Sequence, residues 1–137
     1  MKLELATQLL LACNLYMFGV MAFVHLVHYP SMRLIEPKQW KIFHDFHISR
    51  TQWVVTPPMG LQLLATVIVL LGREFGWYSL GLLSFALLSL GTTFFISMPL
   101  HQRLSKGFNE ESLKSLISFN YFRLLGWGGA SLFLWIA

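Results

Sequence analysis

The sequence has few charged residues, a single cysteine and no flexible low-complexity segment. Asp, Glu, Lys and Arg make up 12% of its 137 residues, against about a quarter in soluble domains. The lone cysteine, Cys13, lies in an apolar run. An internal disulfide and a multi-cysteine metal site are therefore excluded, and a buried, unreactive thiol is expected. The scarcity of charge predicts a protein whose solvent is lipid.

Long apolar segments take the place of the missing charges. Hydrophobic residues make up 55% of the chain, and a bilayer core needs about 20 of them in a row. The run Leu9–Val27 is too long for a signal peptide and has no small-residue cleavage site, so a retained membrane helix is expected. The chain is predicted to be one all-α transmembrane domain, 1–137, folded as an up-down four-helix bundle. Its predicted spans are 7–28, 49–72, 77–98 and 115–137.

The positive charges are unevenly divided between the two ends of this predicted bundle. Lys2 and Arg73 lie on the side of the termini and of the short loop 72–77, and the other eight cations lie at the opposite end. The positive-inside rule makes that opposite end cytoplasmic and both termini periplasmic, in a bacterial inner membrane. The net charge of +4 therefore indicates orientation rather than nucleic-acid binding.

Prolines shape the predicted second helix. Pro37 suits a first helical position, so this helix is expected to begin near Glu36, in the cytoplasm, and to continue into the second span. We predict a kink at Pro57-Pro58, because the apolar residues before this pair are typical of a membrane span. The alternative is a break, with a new helix capped by Thr56.

Two local signals concern the fourth helix. Asn109 followed by Glu110 and Glu111 is typical of a helix N-terminus, with an N-cap side chain and acidic first-turn residues. Gly126 and Ala130 are four residues apart, which predicts a small-residue face for close contact with a neighbouring helix.

The five histidines all fall at the predicted cytoplasmic end. Two pairs have His-x-x-His spacing, and a fifth histidine follows the third span. On each predicted helix, residues at helical spacing form a stripe with polar members, which is expected to face the bundle interior because polar groups avoid lipid. These stripes are Asn14, Phe18, Met21, His25 and His28; His44, His47, Thr51, Val55, Pro58 and Gln62; Thr93, Ser97 and His101; and Asn120, Arg123, Trp127 and Ser131. Their convergence predicts a polar pocket.

Imidazole is the commonest metal ligand among side chains, so the pocket is predicted to bind zinc, copper or iron, at one tetrahedral or one dinuclear site. The predicted metal ligands are His25, His28, His44, His47 and His101. Asp45 and Glu36 are candidates to orient an imidazole. Two alternatives remain open. The histidines could simply meet lipid headgroups, or two of them could ligate haem while Arg50, Arg103 or Arg123 holds its propionates.

Arginines and a tyrosine complete the predicted site. Arg123 falls near the hydrocarbon boundary, where a charge is by default functional; the alternative is that it extends to headgroups. Arg50, Asn120 and Arg123 are predicted to position the substrate or tune the cofactor, and Tyr29 is a candidate proton or electron donor. The arginines favour an anionic or oxygen-bearing ligand, such as a lipid headgroup, a quinone or a carboxylate.

Four short motifs carry a resemblance that covers most of the chain. The motifs are HYP at 28–30, F-H-x-x-H-x-x-R at 43–50, V-x-P-P-M at 55–59 and P-x-H-x-x-L at 99–104. In these motifs the chain resembles a group of small, uncharacterised four-helix bacterial inner-membrane proteins. It is more loosely similar to anthrone-oxygenase-like proteins and to HemJ-type protoporphyrinogen oxidases. No oxygenase motif or haem-ligating histidine matches residue by residue, so the resemblance implies membrane redox chemistry without assigning a catalytic residue.

These observations predict a membrane oxidoreductase with a histidine-rich metal site at its cytoplasmic end, acting on a lipophilic small molecule. The alternatives are a haem-binding membrane protein and a non-enzymatic accessory or assembly subunit that binds a partner or anionic lipid. Membrane lipid is the expected partner, nucleic acid is not, and a homo-oligomer is left open.

Overall fold

The structure, a computed structural model, describes residues 2–136, so Met1 and Ala137, the ends of the predicted domain, lie outside it. Every element in this range is helical. The helices are α1 (Leu3–Leu34), α2 (Trp40–Leu71), α3 (Trp77–Leu104) and α4 (Glu110–Ile136). Each of the four predicted spans overlaps one of them, and the prediction of an all-α protein with four helices is confirmed.

The helices are not equally packed against one another. Helix α1 lies along both α2 and α4, and α4 lies along α3, whereas α2 and α3 make few contacts with each other. Glycines mark the close approaches. A Cβ on Gly72 would meet the side chain of Leu3, and one on Gly128 would meet Phe18. The gap between α2 and α3, called the open seam below, is the feature that positions the candidate site.

The distribution of polar and apolar residues is that of a protein in lipid. Large apolar side chains cover the outside of the helices, as at Trp53 (74% exposed) and Phe95 (83% exposed). Amide and hydroxyl side chains lie inside, among them Asn14, Gln62 and Asn120. The expected burial of Cys13 is also confirmed. In water such an exterior would promote association, so the structure indicates a membrane protein.

Three of the helices, α1, α2 and α3, are long and apolar enough to cross a membrane. Helix α4 has 27 residues but is not among them. Its apolar sequence is interrupted by Asn120, Arg123 and several glycines and serines. Asn120, Arg123, Gly126 and Ser131 are buried against neighbouring helices, so their place in this sequence reflects a role inside the bundle.

Regular α-helical geometry is interrupted by wider π-helical turns in α1 and α3. They span Val24–His28, Leu87–Gly91 and Thr93–Ser97. In a π-helical turn each backbone N–H bonds to the carbonyl five residues back, which changes the directions in which neighbouring side chains point. Such turns are frequent at functional sites, and the first of them contains two of the five histidines.

Helix α2 passes through Pro57 and Pro58 without a break, which excludes two separate helices. It begins at Trp40, four residues later than the Glu36 start that Pro37 predicts. Glu36 and Gln39 instead form a turn, closed by a hydrogen bond from the Gln39 N–H to the Glu36 carbonyl at 2.9 Å.

Both local predictions for α4 agree with the structure. The Asn109 carboxamide oxygen accepts a hydrogen bond from the Ser112 N–H at 2.7 Å, which confirms the N-cap. Gly126 lies against α3 so closely that a Cβ there would be 2.7 Å from the Ser89 backbone nitrogen. This contact holds α3 and α4 together on the side of the bundle away from the open seam.

Candidate functional site

Four of the five histidines meet at one end of the bundle, and we call them the histidine cluster: His28, His44, His47 and His101. They come from α1, α2 and α3. His28 Nε2 lies 2.8 Å from His47 Nδ1, and His101 Nδ1 lies 3.4 Å from His44 Nε2. The ring centroids of His47 and His101 are 5.4 Å apart, which joins the two pairs into one group.

The fifth histidine, His25, is not part of this cluster. Its ring packs edge-on against Tyr121 of α4, with 4.3 Å between centroids. The π-helical turn Val24–His28 explains the separation. Residues three apart share a face of an α-helix, but they diverge on the wider π-helical turn. The predicted common face of His25 and His28 is therefore wrong.

Helix α2 presents its two histidines as the sequence predicts. His44 and His47 are three residues apart in regular α-helix, and both are buried. The Trp40 indole packs at 5.5 Å, centroid to centroid, against the His44 ring, and its N–H donates to the Leu104 carbonyl at 2.8 Å. The Thr51 hydroxyl lies 3.0 Å from His47 Nδ1. Trp40, which is not among the predicted site residues, thus fixes α2 to α3 beside the histidines.

Tyr29 and Arg123 lie beside the histidine cluster, as predicted. The Tyr29 hydroxyl is 3.3 Å from His101 Nε2, the ring nitrogen that faces away from His44. The Arg123 guanidinium lies next to Tyr29 and above the Trp127 ring. Arg123 is only 5% exposed, so it does not extend into the headgroup region, and that alternative is wrong.

Asn120 orients Arg123 through a hydrogen bond. Its carboxamide oxygen accepts from Arg123 Nη1 at 3.3 Å, and its Nδ2 donates to the Met21 carbonyl at 3.1 Å. Asn120 is fully buried and does not line the cavity. It therefore positions the arginine and has no direct access to a ligand.

Three other predicted contributors lie elsewhere. Arg50 is exposed, with its guanidinium over the Phe46 ring. Asp45 is also exposed and pairs with Lys41 at 2.8 Å, and Glu36 is exposed in the turn before α2. None of these three side chains reaches the histidine cluster. Their spacing along the chain predicted proximity, but each points away from the buried face of its own segment.

A cavity of about 680 Å³ connects the histidine cluster with the open seam. Its inner wall includes Met21, Tyr29 and Arg123, from α1 and α4. Its sides are formed by α2 and α3, and they are mostly apolar along their length. His44, His47 and His101 line one end, and Leu63 and Leu90 lie farther along the wall. The volume lies in the range of about 300–1,000 Å³ that is typical of small-molecule sites.

The geometry of the histidine cluster can be compared with that of a metal centre. Two nitrogens bound to one tetrahedral zinc ion at about 2.0–2.1 Å are about 3.4 Å apart. The His44 and His101 nitrogens already have this separation, whereas the 2.8 Å contact between His28 and His47 is that of a hydrogen bond. Within residues 2–136 no group of three or more His, Cys, Asp or Glu side chains is positioned to coordinate an ion without rearrangement.

The histidines would therefore have to rearrange before three or more of them could bind one metal ion. The His28 and His47 nitrogens would separate by about half an ångström, within the reach of small side-chain rotations. A second observation favours a ligand here. Four buried side-chain atoms have no hydrogen-bond partner in the described part of the chain, on His25, His44, Ser79 and Arg123. Two of these residues, His44 and Arg123, line the cavity.

The comparisons with known proteins add no further information on function. No family model, curated protein or solved structure matches the chain. The resemblance to small inner-membrane proteins therefore stays a prediction.

Proposed function

We propose that this chain is an integral membrane protein whose four helices cross the bacterial inner membrane as an up-down bundle, with both termini periplasmic. The apolar exterior and the three long apolar helices support the membrane location. The position of eight of the ten Lys and Arg residues toward one end supports the orientation, by the positive-inside rule. On this proposal the histidine cluster lies at the cytoplasmic end.

Its proposed function is that of a metal-dependent oxidoreductase acting on a lipophilic molecule. The observation that carries the proposal is the histidine cluster at the end of a largely apolar cavity that opens through the open seam. A lipid-soluble compound can reach such a cavity from the bilayer without passing through water. Four neutral imidazoles suit zinc, copper or iron, and only the last two carry out redox chemistry.

The residues of this chain have distinct roles in the proposal. His28, His44, His47 and His101 hold the ion, which when bound supplies electron transfer or Lewis acidity. The Tyr29 hydroxyl orients the His101 ring from the far side and can exchange a proton with it. Arg123, held by Asn120, faces the cavity and binds the polar group of the substrate.

Metal content tests whether the histidine cluster binds a metal ion. We expect about one transition-metal ion per chain by elemental analysis of the purified protein. His28→Ala or His47→Ala should lower the metal content several-fold, because each removes one of four ligands. His25→Ala is the matched control and should keep wild-type metal content, because His25 lies against Tyr121 outside the cluster. Equal metal content in all three variants, or none in the wild type, would contradict the site.

The redox assignment needs its own measurement. Protein loaded with copper or iron should change its absorption or paramagnetic resonance signal when a membrane-soluble reductant is added, and the His47→Ala variant should not. If the purified protein contained zinc alone, the metal site would be supported, but the proposed oxidoreductase activity would be contradicted.

The alternative of haem binding does not fit this geometry. Two axial imidazoles must leave a slot for the porphyrin plane, whereas the His28 and His47 rings are in direct contact, with centroids 4.4 Å apart. A Soret band in protein produced with ample haem would establish this alternative. A non-enzymatic accessory subunit would show neither metal nor haem.

A further inference from the structure

The buried guanidinium of Arg123 has no anionic partner. In residues 2–136 the three ion pairs join Arg33 or Lys114 to Glu110 and Lys41 to Asp45, all at exposed positions. No carboxylate pairs with Arg123, although it is 95% removed from solvent. A cation transferred into a low-dielectric interior without a counter-charge is costly.

The hydrogen bonds of Arg123 leave one edge of the guanidinium available. Nη1 donates to the Asn120 carboxamide oxygen, and Asn120 is itself held by the Met21 carbonyl. Nε is buried and has no partner within the described residues. Arginine binds carboxylates through two parallel N–H groups, and Nε belongs to one such edge. Tyr29 also lies against the guanidinium, so the group is held in place while its charge has no anionic partner within the described residues.

The cavity beyond Arg123 suits an unbranched apolar chain. Its wall along α2 extends from His47 to Leu63, which is about 24 Å at 1.5 Å rise per residue. An extended hydrocarbon chain can therefore lie along this wall. Exposed residues of both α2 and α3, such as Thr56 and Phe94, form its rim. The opening therefore lies along the side of the bundle.

We infer that the cavity binds a long-chain carboxylic acid, with its carboxylate on Arg123 and its hydrocarbon chain between α2 and α3. The anion compensates the buried guanidinium, and the chain fills apolar space that the two helices leave open. This inference rests on the lipophilic cavity of the proposed function and names its ligand class. It does not require that a metal is bound.

A metal ion would strengthen the requirement for an anion. Four neutral imidazoles contribute no negative charge, so a divalent ion would add two positive charges close to Arg123. No carboxylate lines the cavity to balance them. A neutral ligand such as a quinone or an ester would leave all of this charge uncompensated, which is why the carboxylate is favoured.

The experiment measures binding of radiolabelled palmitic acid to the purified full-length chain in neutral-lipid nanodiscs, after treatment with a chelator. We expect saturable binding of about one palmitate per chain. Methyl palmitate should compete at least about tenfold more weakly, because it has the same chain but no charge. A tenfold difference in affinity corresponds to about 1.4 kcal/mol, and a charge-assisted hydrogen bond typically contributes at least this much. Equal competition by the ester, or no saturable binding, would overturn the inference.

Variants then locate the carboxylate. Arg123→Gln should weaken palmitate binding about tenfold to a hundredfold, and Arg123→Lys, which keeps the charge, should weaken it less. Arg50→Gln is the control and should bind like the wild type, because Arg50 is exposed and does not line the cavity. Unchanged binding in a folded Arg123→Gln protein would overturn the assignment. The comparison with methyl palmitate on the wild type tests the inference even if the variants do not fold.

The two proposals can fail separately. Palmitate binding by metal-free protein, together with wild-type protein that never contains metal, would leave this inference standing without the oxidoreductase. Metal that is lost in the His28→Ala and His47→Ala variants, together with no palmitate binding, would support the metal site and overturn this inference.

Discussion

Two groups of polar side chains lie inside this bundle, and they differ in how completely they are hydrogen-bonded. The central network consists of Asn14, Gln62 and Trp127. Gln62 donates to Asn14 Oδ1 at 3.3 Å and accepts from Trp127 Nε1 at 2.9 Å, while Asn14 Nδ2 donates to the Leu10 carbonyl at 2.7 Å. The histidine cluster with Arg123 instead retains buried nitrogens that have no partner in residues 2–136.

The two groups also differ in their access to a ligand. The three residues of the central network are essentially inaccessible and none of them lines the cavity. Three of the four clustered histidines and Arg123 do line it. Satisfied polar groups in a membrane interior join helices, whereas unsatisfied ones facing a cavity favour a ligand. We therefore expect the central network to contribute to stability, and the proposed function places the ligand at the histidine cluster.

The largest expected effect is on stability, from the central network. Gln62→Leu leaves Asn14 Oδ1 and Trp127 Nε1 buried without partners, so we expect the free energy of unfolding to fall by about 2–4 kcal/mol. Gln8→Leu, at an exposed position on α1, should change it by less than about 0.5 kcal/mol. Unfolding by SDS in mixed micelles measures both. Metal content per folded chain should not change, and if Gln62→Leu removed metal without loss of stability, the division between the two groups would be wrong.

The next effect is on metal affinity. Tyr29→Phe removes the hydroxyl next to His101 Nε2 and keeps the aromatic ring. Groups that orient a metal ligand typically contribute tenfold to a hundredfold in affinity, so competition with a chelator should show a loss of about that size. Tyr121→Phe, beside the excluded His25, provides the matched control and should retain wild-type affinity. Equal affinities in the two variants would show that Tyr29 serves packing alone.

The smallest expected effect is on palmitate binding, and it compares a position in the cavity with an exposed position elsewhere on the bundle. Gly60 lines the cavity, and a Cβ at this position meets no atom within 4 Å. Gly60→Phe should therefore fill the cavity and lower palmitate binding about tenfold, with little change in metal content. Gly19 also has no atom near its Cβ position, but it lies on the outside of α1. Gly19→Phe should bind palmitate normally, and a similar loss in both variants would argue against a ligand in this cavity.

Much of the fold is predictable because apolar segments and polar positions follow simple physical rules. Four helices are readable from four apolar segments, and the burial of Gln62 and Asn120 follows from the cost of placing an amide in lipid. The Asn109 cap is a local interaction, so it is readable from neighbouring residues. The start of α2 cannot be predicted from neighbouring residues, because Pro37 suits a turn as well as a first helical position.

The site is only partly predictable because its geometry depends on departures from regular structure. The sequence places His25 and His28 on one face only if α1 is a regular α-helix, and the π-helical turn Val24–His28 separates them. A π-helical turn has no distinct sequence signal. Arg50 has the right spacing from His47, but its side chain is exposed.

Polarity alone also cannot divide the two groups of interior residues. Asn14 and Gln62 lie on the same predicted stripes as the histidines, and only their hydrogen-bond partners show that they are structural. The open seam exists because α2 packs on α1 and makes few contacts with α3, and this packing involves whole helices. No local pattern specifies that α2 packs on α1 rather than on α3.

The Trp40–Leu104 hydrogen bond closes the open seam at the histidine end, and the loop 72–77 joins α2 to α3 at the other end. In a bilayer the remaining mouth faces acyl chains. Occupancy of the cavity would then follow the mole fraction of ligand dissolved in the leaflet, rather than its concentration in water. A compound too insoluble to be measured in the cytoplasm could still saturate the protein, and its supply would be set by how fast it partitions into and diffuses within the membrane.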